Sequence, residues 1–187
     1  MNGEKSGYAT YSYVLTGRSA ITQHEKLRYL RLIDAVKGRS TPDKLIKSSS
    51  RGFYNLFLIP SEKKPNTANE EPDYERSKKF LDNISIKLPE ALFNHGGPYI
   101  ITLYKPVGEG NPDTIADILY ADLTKVHPAA FPEVVRAYKS HVSSEQIHGI
   151  EKLKSLRANL LNLMLITEEC IGFAKVAYTD FLSSWPR

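Results

Sequence analysis

The sequence predicts an α+β fold in which a mixed four-stranded sheet is flanked by helices and followed by a long C-terminal helix. Short apolar runs alternate with amphipathic stretches, which gives the order strand, helix, strand, helix, strand, strand, helix, helix. Two strand–helix–strand units imply crossovers that leave the first three strands parallel, whereas a glycine-containing connection favours antiparallel pairing of the last two. Residues 144–184 contain no proline and repeat apolar side chains at helical spacing, which predicts the long helix.

Local patterns place the first elements of this fold. Residues 9–15 alternate bulky side chains with small or polar ones and predict a strand that ends before Gly17. Thr22 and Glu25 have the spacing of a capping box and predict the start of a helix that ends at Gly38. The apolar residues that repeat at helical spacing along it are Leu27, Leu30, Ile33 and Val36.

The central elements follow from apolar runs and the breaks between them. Residues 53–59 are an almost continuous apolar run, typical of a strand that is covered on both faces. Residues 60–72 have neither apolar content nor periodicity and predict a mobile internal loop. Asp73 can cap another helix, after which residues 99–104 and 115–123 predict the last two strands.

The C-terminal third predicts two helices and an association surface. Pro128 or Pro132 opens a helix, and Ser143 with Gln146 forms the capping box of the long terminal helix. An unbroken helix over residues 144–184 would be roughly 60 Å long, whereas a domain of this size is about 40 Å across. We therefore expect it to break, to overhang or to pack on a partner, in a homo-oligomer or a complex with another protein. Its candidate contact residues are Leu160, Leu163, Met164 and Ile171.

Composition predicts one domain over residues 1–187, because 41% of the 187 residues are hydrophobic and 25% are charged. The net charge of +4 is unevenly distributed, since residues 18–51 contain nine basic residues and three acidic ones. Such a basic segment attracts nucleic acid, an anionic lipid surface or an acidic protein, the alternative being a solvated helix face. Cys170 is the single cysteine, which excludes an intrachain disulfide.

The start of the chain and its most apolar stretch bear on location. Residues 1–7 are polar and lack the apolar segment of a secretory signal, so we expect a cytoplasmic protein unless a targeting segment has been removed. Residues 160–166 are too few to cross a bilayer, and two glutamates follow them closely. No membrane span is therefore predicted.

No motif in the sequence names a reaction, so the leading prediction is a non-enzymatic interaction or assembly module. A P-loop, a dinucleotide-binding fingerprint and a cysteine nucleophile motif are all missing, and no cofactor or metal is predicted. His141, Glu145 and His148 would share a helix face suited to zinc, but Ser143 and Ser144 interrupt that helix.

Two alternative functions stay open. An enzyme would be centred on His95, which precedes two glycines in a loop, and on Asp122, a carboxylate at the end of a strand. The other interpretation of that loop is a tight turn that leads into the third strand. A nucleic-acid-binding protein would contact phosphates with basic residues of the first helix, which are Arg28, Arg31, Lys37 and Arg39. If one sheet face were open, such a protein would also stack nucleobases on tyrosines of the strands. The alternative is that these tyrosines pack beneath helices. The candidates are Tyr11, Tyr13, Tyr54, Tyr99, Tyr104 and Tyr120.

Overall fold

The computed structural model describes residues 7–17, 22–39, 47, 51, 54–62, 71–85, 96–103, 115–142 and 171–177. Seven strands and three α-helices lie within these ranges. The strands are β1 (Thr10–Leu15), β2 (Asn55–Leu58), β3 (Ser61–Glu62), β4 (Glu71–Pro72), β5 (Tyr99–Leu103), β6 (Ile115–Asp122) and β7 (Ile171–Ala177). The helices are α1 (Gln23–Arg39), α2 (Tyr74–Ser85) and α3 (Phe131–Val142), with a 3-10 turn, Pro128–Ala130, before α3.

The main sheet is mixed and has the order β2-β1-β5-β6-β7. β1 and β2 are parallel, and every other neighbouring pair is antiparallel. The predicted α+β fold, with a mixed sheet and flanking helices, is confirmed, and its four predicted strands are β1, β2, β5 and β6.

The predicted parallel direction of the third strand is wrong. Tyr99 at the start of β5 pairs with Leu15 at the end of β1, so the two strands run in opposite directions. β5 therefore begins at the edge of the sheet at which β1 ends, whereas a parallel strand would begin at the opposite edge. Apolar periodicity marks where a strand lies, but it does not report the edge at which the chain enters it.

A fifth strand occupies part of the region predicted as the long helix. Residues 171–177 form β7, in which Ile171 pairs with Ala121 and Ala177 pairs with Ile115. The helix predicted for residues 144–184 is therefore wrong over this stretch, because Ile171, Phe173 and Val176 favour the extended conformation once β6 provides a strand that pairs with them. The rest of the prediction, including Leu160, Leu163 and Met164, lies outside the described residues.

Helices cover both faces of the sheet. On one face α1 and α3 pack on a cluster that includes Val14, Ile100, Leu119 and Ala121. On the other face Phe80 and Leu81 of α2 pack on Tyr11, Tyr13, Tyr99 and Ile101. Strand residues alternate between these two clusters, as expected for a sheet buried on both sides.

The predicted apolar stripe of α1 divides in the structure. Ile33 and Val36 are buried, whereas Leu27 and Leu30 are 53% and 38% exposed. Tyr29, Leu32 and Ala35 complete the buried face instead. α1 carries two overlapping stripes of apolar residues at helical spacing, and the core takes one of them.

The segment predicted as a mobile loop begins and ends in a short ladder. Ser61 pairs with Pro72 and Glu62 with Glu71, so β3 and β4 form a separate two-stranded sheet. Residues 63–70 between them lie outside the described residues, and their mobility stays a prediction.

Candidate functional site

The first turn of α1 is fixed by the predicted capping box, which the structure confirms. The backbone N–H and the hydroxyl of Thr22 both donate to Glu25 Oε2, at 2.7 and 2.8 Å. In return the backbone N–H of Glu25 donates to Thr22 Oγ1 at 3.2 Å. Two donors at the helix start that have no intrahelical partner are thereby satisfied.

The glycine loop before β5 packs against this turn. A Cβ atom on Gly96 would lie 1.7 Å from Glu25 Oε1, so the carboxylate rests directly on the glycine. Gly97 has a φ of +77°, and Gly17 N–H donates to the Gly96 carbonyl at 2.9 Å. Close packing and backbone conformation therefore account for both glycines, although His95 itself lies outside the described residues.

Asp122 lies at the same edge of the sheet as this loop. It pairs with Tyr99 across the β5–β6 ladder, and Leu123 N–H donates to the Pro98 carbonyl at 2.9 Å. The fold thus brings the loop after His95 next to the segment after Asp122. The Asp122 carboxylate is used within its own turn, where Oδ1 accepts from Thr124 N–H at 2.8 Å.

Arg28 holds α1 to the connection between β6 and α3. Its Nη2 donates to the carbonyl oxygens of Leu123, Thr124 and Val126, at 2.8 Å in each case. The guanidinium carbon also lies 5.6 Å from the centroid of the Phe131 ring. Burial lowers the pKa of Arg28, and the nearby Asp122 opposes this shift. The structure therefore gives Arg28 a role in packing that the sequence did not indicate.

Two more residues of α1 contact the helix α2. The Lys26 ammonium lies 5.5 Å from the centroid of the Tyr74 ring, which in turn is 5.7 Å from the Tyr29 ring. The Tyr29 hydroxyl is buried and donates to the Val14 carbonyl at 2.8 Å. Burial first, and then the nearby Tyr74 and Asp73, raise the pKa of Tyr29.

The outer side of α1 presents an exposed row of apolar and basic side chains. Leu27 and Leu30 are both exposed, although they are large and hydrophobic. Arg31 and Lys37 are exposed on the same helix, and the acidic Asp34 between them is exposed as well. We call Leu27, Leu30, Arg31 and Lys37 the α1 stripe, since they follow the three-and-four spacing of one helix side. Arg39, the fourth predicted base, is the last residue of α1.

The tyrosines do not form the predicted stacking platform where the structure describes them fully. Tyr11, Tyr13 and Tyr99 are at most 1% exposed, and Tyr13 stacks on Phe80 of α2 with 5.4 Å between ring centroids. Packing beneath a helix, the alternative prediction, is confirmed for these three. Tyr54 and Tyr120 pack against the same cluster, and Tyr104 lies outside the described residues.

The described ranges also bear on the predicted zinc-ligand set and on the prediction of no membrane span. They contain no cluster of three residues able to hold a metal ion; His141 lies in the last turn of α3, and its predicted partners Glu145 and His148 are outside them. None of the described helices is both long and apolar enough to cross a bilayer. Comparisons with family models, with curated proteins and with solved structures found no match to this chain.

Proposed function

We propose that this protein is a non-enzymatic interaction module that binds a partner protein through the α1 stripe. The observation that supports the proposal is the exposure of Leu27 and Leu30 on a helix whose opposite side already fills the core. Exposed apolar residues that adjoin one another and are rimmed by charges are typical of docking surfaces. The association surface predicted on the terminal helix, at Leu160, Leu163 and Met164, lies outside the described residues and stays a prediction.

Covering the two leucines supplies part of the binding energy that recognition needs. Fully burying a leucine contributes about 1.5–3 kcal/mol, and Leu27 and Leu30 are 53% and 38% exposed. Covering both therefore contributes on the order of 2 kcal/mol, or roughly 30-fold in a dissociation constant. The remaining affinity must come from Arg31, Lys37 and the surfaces around them.

The alternative enzyme site has weaker support. The predicted site consists of His95, which lies outside the described residues, and Asp122, which accepts a hydrogen bond from Thr124 N–H within its own turn. This structural role explains the position of the Asp122 carboxylate without a substrate.

A photo-cross-linking residue placed at position 27 tests the proposal. In cells that naturally produce the protein, we expect adducts with one defined protein, or with a second copy of this chain. The same residue at Glu75, which is exposed on α2, is the matched control and should give no such adduct. Identical adducts from both positions, or none from position 27, would contradict the proposal.

Nucleic-acid binding is a second candidate, favoured by the exposure of Arg31 and Lys37. Each phosphate contact should add about 0.7–0.9 to the slope of log affinity against log salt. Charge reversal of Arg31 should lower that slope by one such increment. A protein that elutes from a polyanion column without salt dependence would exclude this candidate.

A further inference from the structure

The charges along α1 differ in how far they are available to a partner. The helix contains five basic residues and two acidic ones. Glu25 is used in the capping box and Arg28 in its contacts with three carbonyls. Arg31, Asp34 and Lys37 remain exposed, so cations exceed carboxylates among the exposed charges that follow the leucines.

We infer that the partner supplies an acidic amphipathic segment, with apolar side chains against Leu27 and Leu30 and carboxylates against Arg31 and Lys37. This inference rests on the proposed function, and it specifies the chemistry of the partner. Residues 27–37 cover about 15 Å along the helix axis, which matches roughly three turns of a partner helix. Amphipathic helices dock in this manner, with anchors at the three-and-four spacing.

Asp34 makes this surface a poor binding site for a uniform polyanion. It lies between Arg31 and Lys37 on the same side of α1, and it repels any anion that tracks the helix continuously. The phosphate chain of a nucleic acid would meet this repulsion and would leave Leu27 and Leu30 without apolar contacts. A peptide can place an uncharged residue opposite Asp34, and so it fits the stripe better than a polyanion or an anionic bilayer.

Synthetic helical peptides provide a direct test against the full-length protein. The first probe carries leucines at the three-and-four spacing and glutamates one turn further along; in the second probe serines replace those leucines. A third probe has lysines in place of the glutamates, and a single-stranded oligonucleotide serves as the polyanion. We expect fluorescence anisotropy to show binding of the first probe alone, weakening as salt rises from about 50 to 200 mM.

Substitutions of the α1 stripe and of Asp34 should change the affinity for the first peptide in opposite directions. Replacing both leucines by Asp should weaken binding of the first peptide by at least about 30-fold, while Met at both positions should preserve it. Arg31→Gln should weaken binding by about threefold, and Asp34→Asn should tighten it by a similar factor. Glu75→Gln removes one charge from α2 and should leave the affinity unchanged.

Several outcomes would overturn the inference. These are equal binding of the serine peptide or of the lysine peptide, preferential binding of the oligonucleotide, and no binding of any probe. A large fall in melting temperature for Leu27→Asp would also overturn it, since the stripe would then be covered by this chain itself. If the peptides fail while position 27 still cross-links to a defined protein, the inference is wrong and the proposed function stands.

Discussion

Tyr138 of α3 and Thr102 of β5 are joined by a buried hydrogen bond, with 2.8 Å between their hydroxyl oxygens. The Leu119 carbonyl can only accept, so Tyr138 donates to it and must accept from Thr102. Thr102 therefore accepts from Ser12, whose hydroxyl accepts from the Asn55 amide at 2.7 Å. One directed chain of hydrogen bonds thus links α3 to β6, β5, β1 and β2 within the core.

Removing one hydroxyl from this chain should destabilise the fold measurably. Tyr138→Phe leaves the Thr102 hydroxyl without an acceptor in a buried site, and we expect the free energy of unfolding to fall by about 1–3 kcal/mol. Ser140→Ala removes an exposed hydroxyl of the same helix and should change it by less than about 0.5 kcal/mol. Urea denaturation measures both values. Equal stabilities of the two variants would show that the buried chain adds little.

Arg28 and Arg31 should behave differently although they lie one turn apart on α1. Arg28→Met removes the donor shared by three carbonyls and should lower the free energy of unfolding by about 1–2 kcal/mol, since water can replace part of the loss. Arg28→Lys should recover some of it, because an ammonium also donates, though without the planar geometry of guanidinium. Arg31→Met, at an exposed position, should have almost no effect in the same denaturation experiment.

Gly96 and Gly97 should respond unequally to an added methyl group. In Gly96→Ala the clash is with the end of the flexible Glu25 side chain, which can move at the cost of the capping box, about 1 kcal/mol. In Gly97→Ala the methyl lies 2.8 Å from the backbone nitrogen of Gly17, and φ is +77°, so the loss should exceed about 2 kcal/mol. Melting temperatures from thermal unfolding would show which of the two variants loses more stability.

A double-mutant cycle checks the cause of the Gly96 effect. Glu25→Ala also removes the capping interaction, so Gly96→Ala should cost almost nothing in its presence. If the losses of stability in the two single variants add up in the double variant, the Cβ atom at position 96 clashes with a group other than Glu25.

The parts of the fold that sequence could predict are those determined by neighbours along the chain. Thr22 and Glu25 are three residues apart, and their capping box is confirmed. The helix predicted to open at Pro128 or Pro132 is α3, and it buries Val134 and Tyr138, which lie four residues apart on one helix side. Local spacing determines both features, because the contacting groups are covalently close.

The features that the sequence did not predict depend on contacts between residues that are far apart along the chain. Residues 171–177 fit helical spacing and strand composition alike, and pairing with β6 selects the strand. Leu27 belongs to a stripe that is as regular as the one that is buried, so packing of α3 and the sheet against α1 selects the core face. Arg28 contacts carbonyls 95–98 residues away, and no local pattern separates it from Arg31.

Tyr29 should make the protein less stable at alkaline pH. Its folded-state pKa is raised chiefly by burial, and Tyr74 and Asp73 raise it further. The unfolded tyrosine ionises near its ordinary pKa of about 10, so above this pH the unfolded state holds fewer protons than the folded state. The free energy of unfolding must then fall as pH rises, by at most about 1.4 kcal/mol per pH unit from this group.

Comparison of the wild-type protein with Tyr29→Phe isolates this contribution. At pH 8 the variant lacks the hydrogen bond to the Val14 carbonyl and should be less stable by about 1 kcal/mol. Between pH 10 and 11 the wild-type protein loses stability through Tyr29 and the variant does not, so the difference should shrink and then reverse. Urea denaturation of both proteins at a series of pH values measures this difference. A difference that stays constant from pH 8 to 11 would mean that Tyr29 ionises in the folded protein as readily as in the unfolded chain.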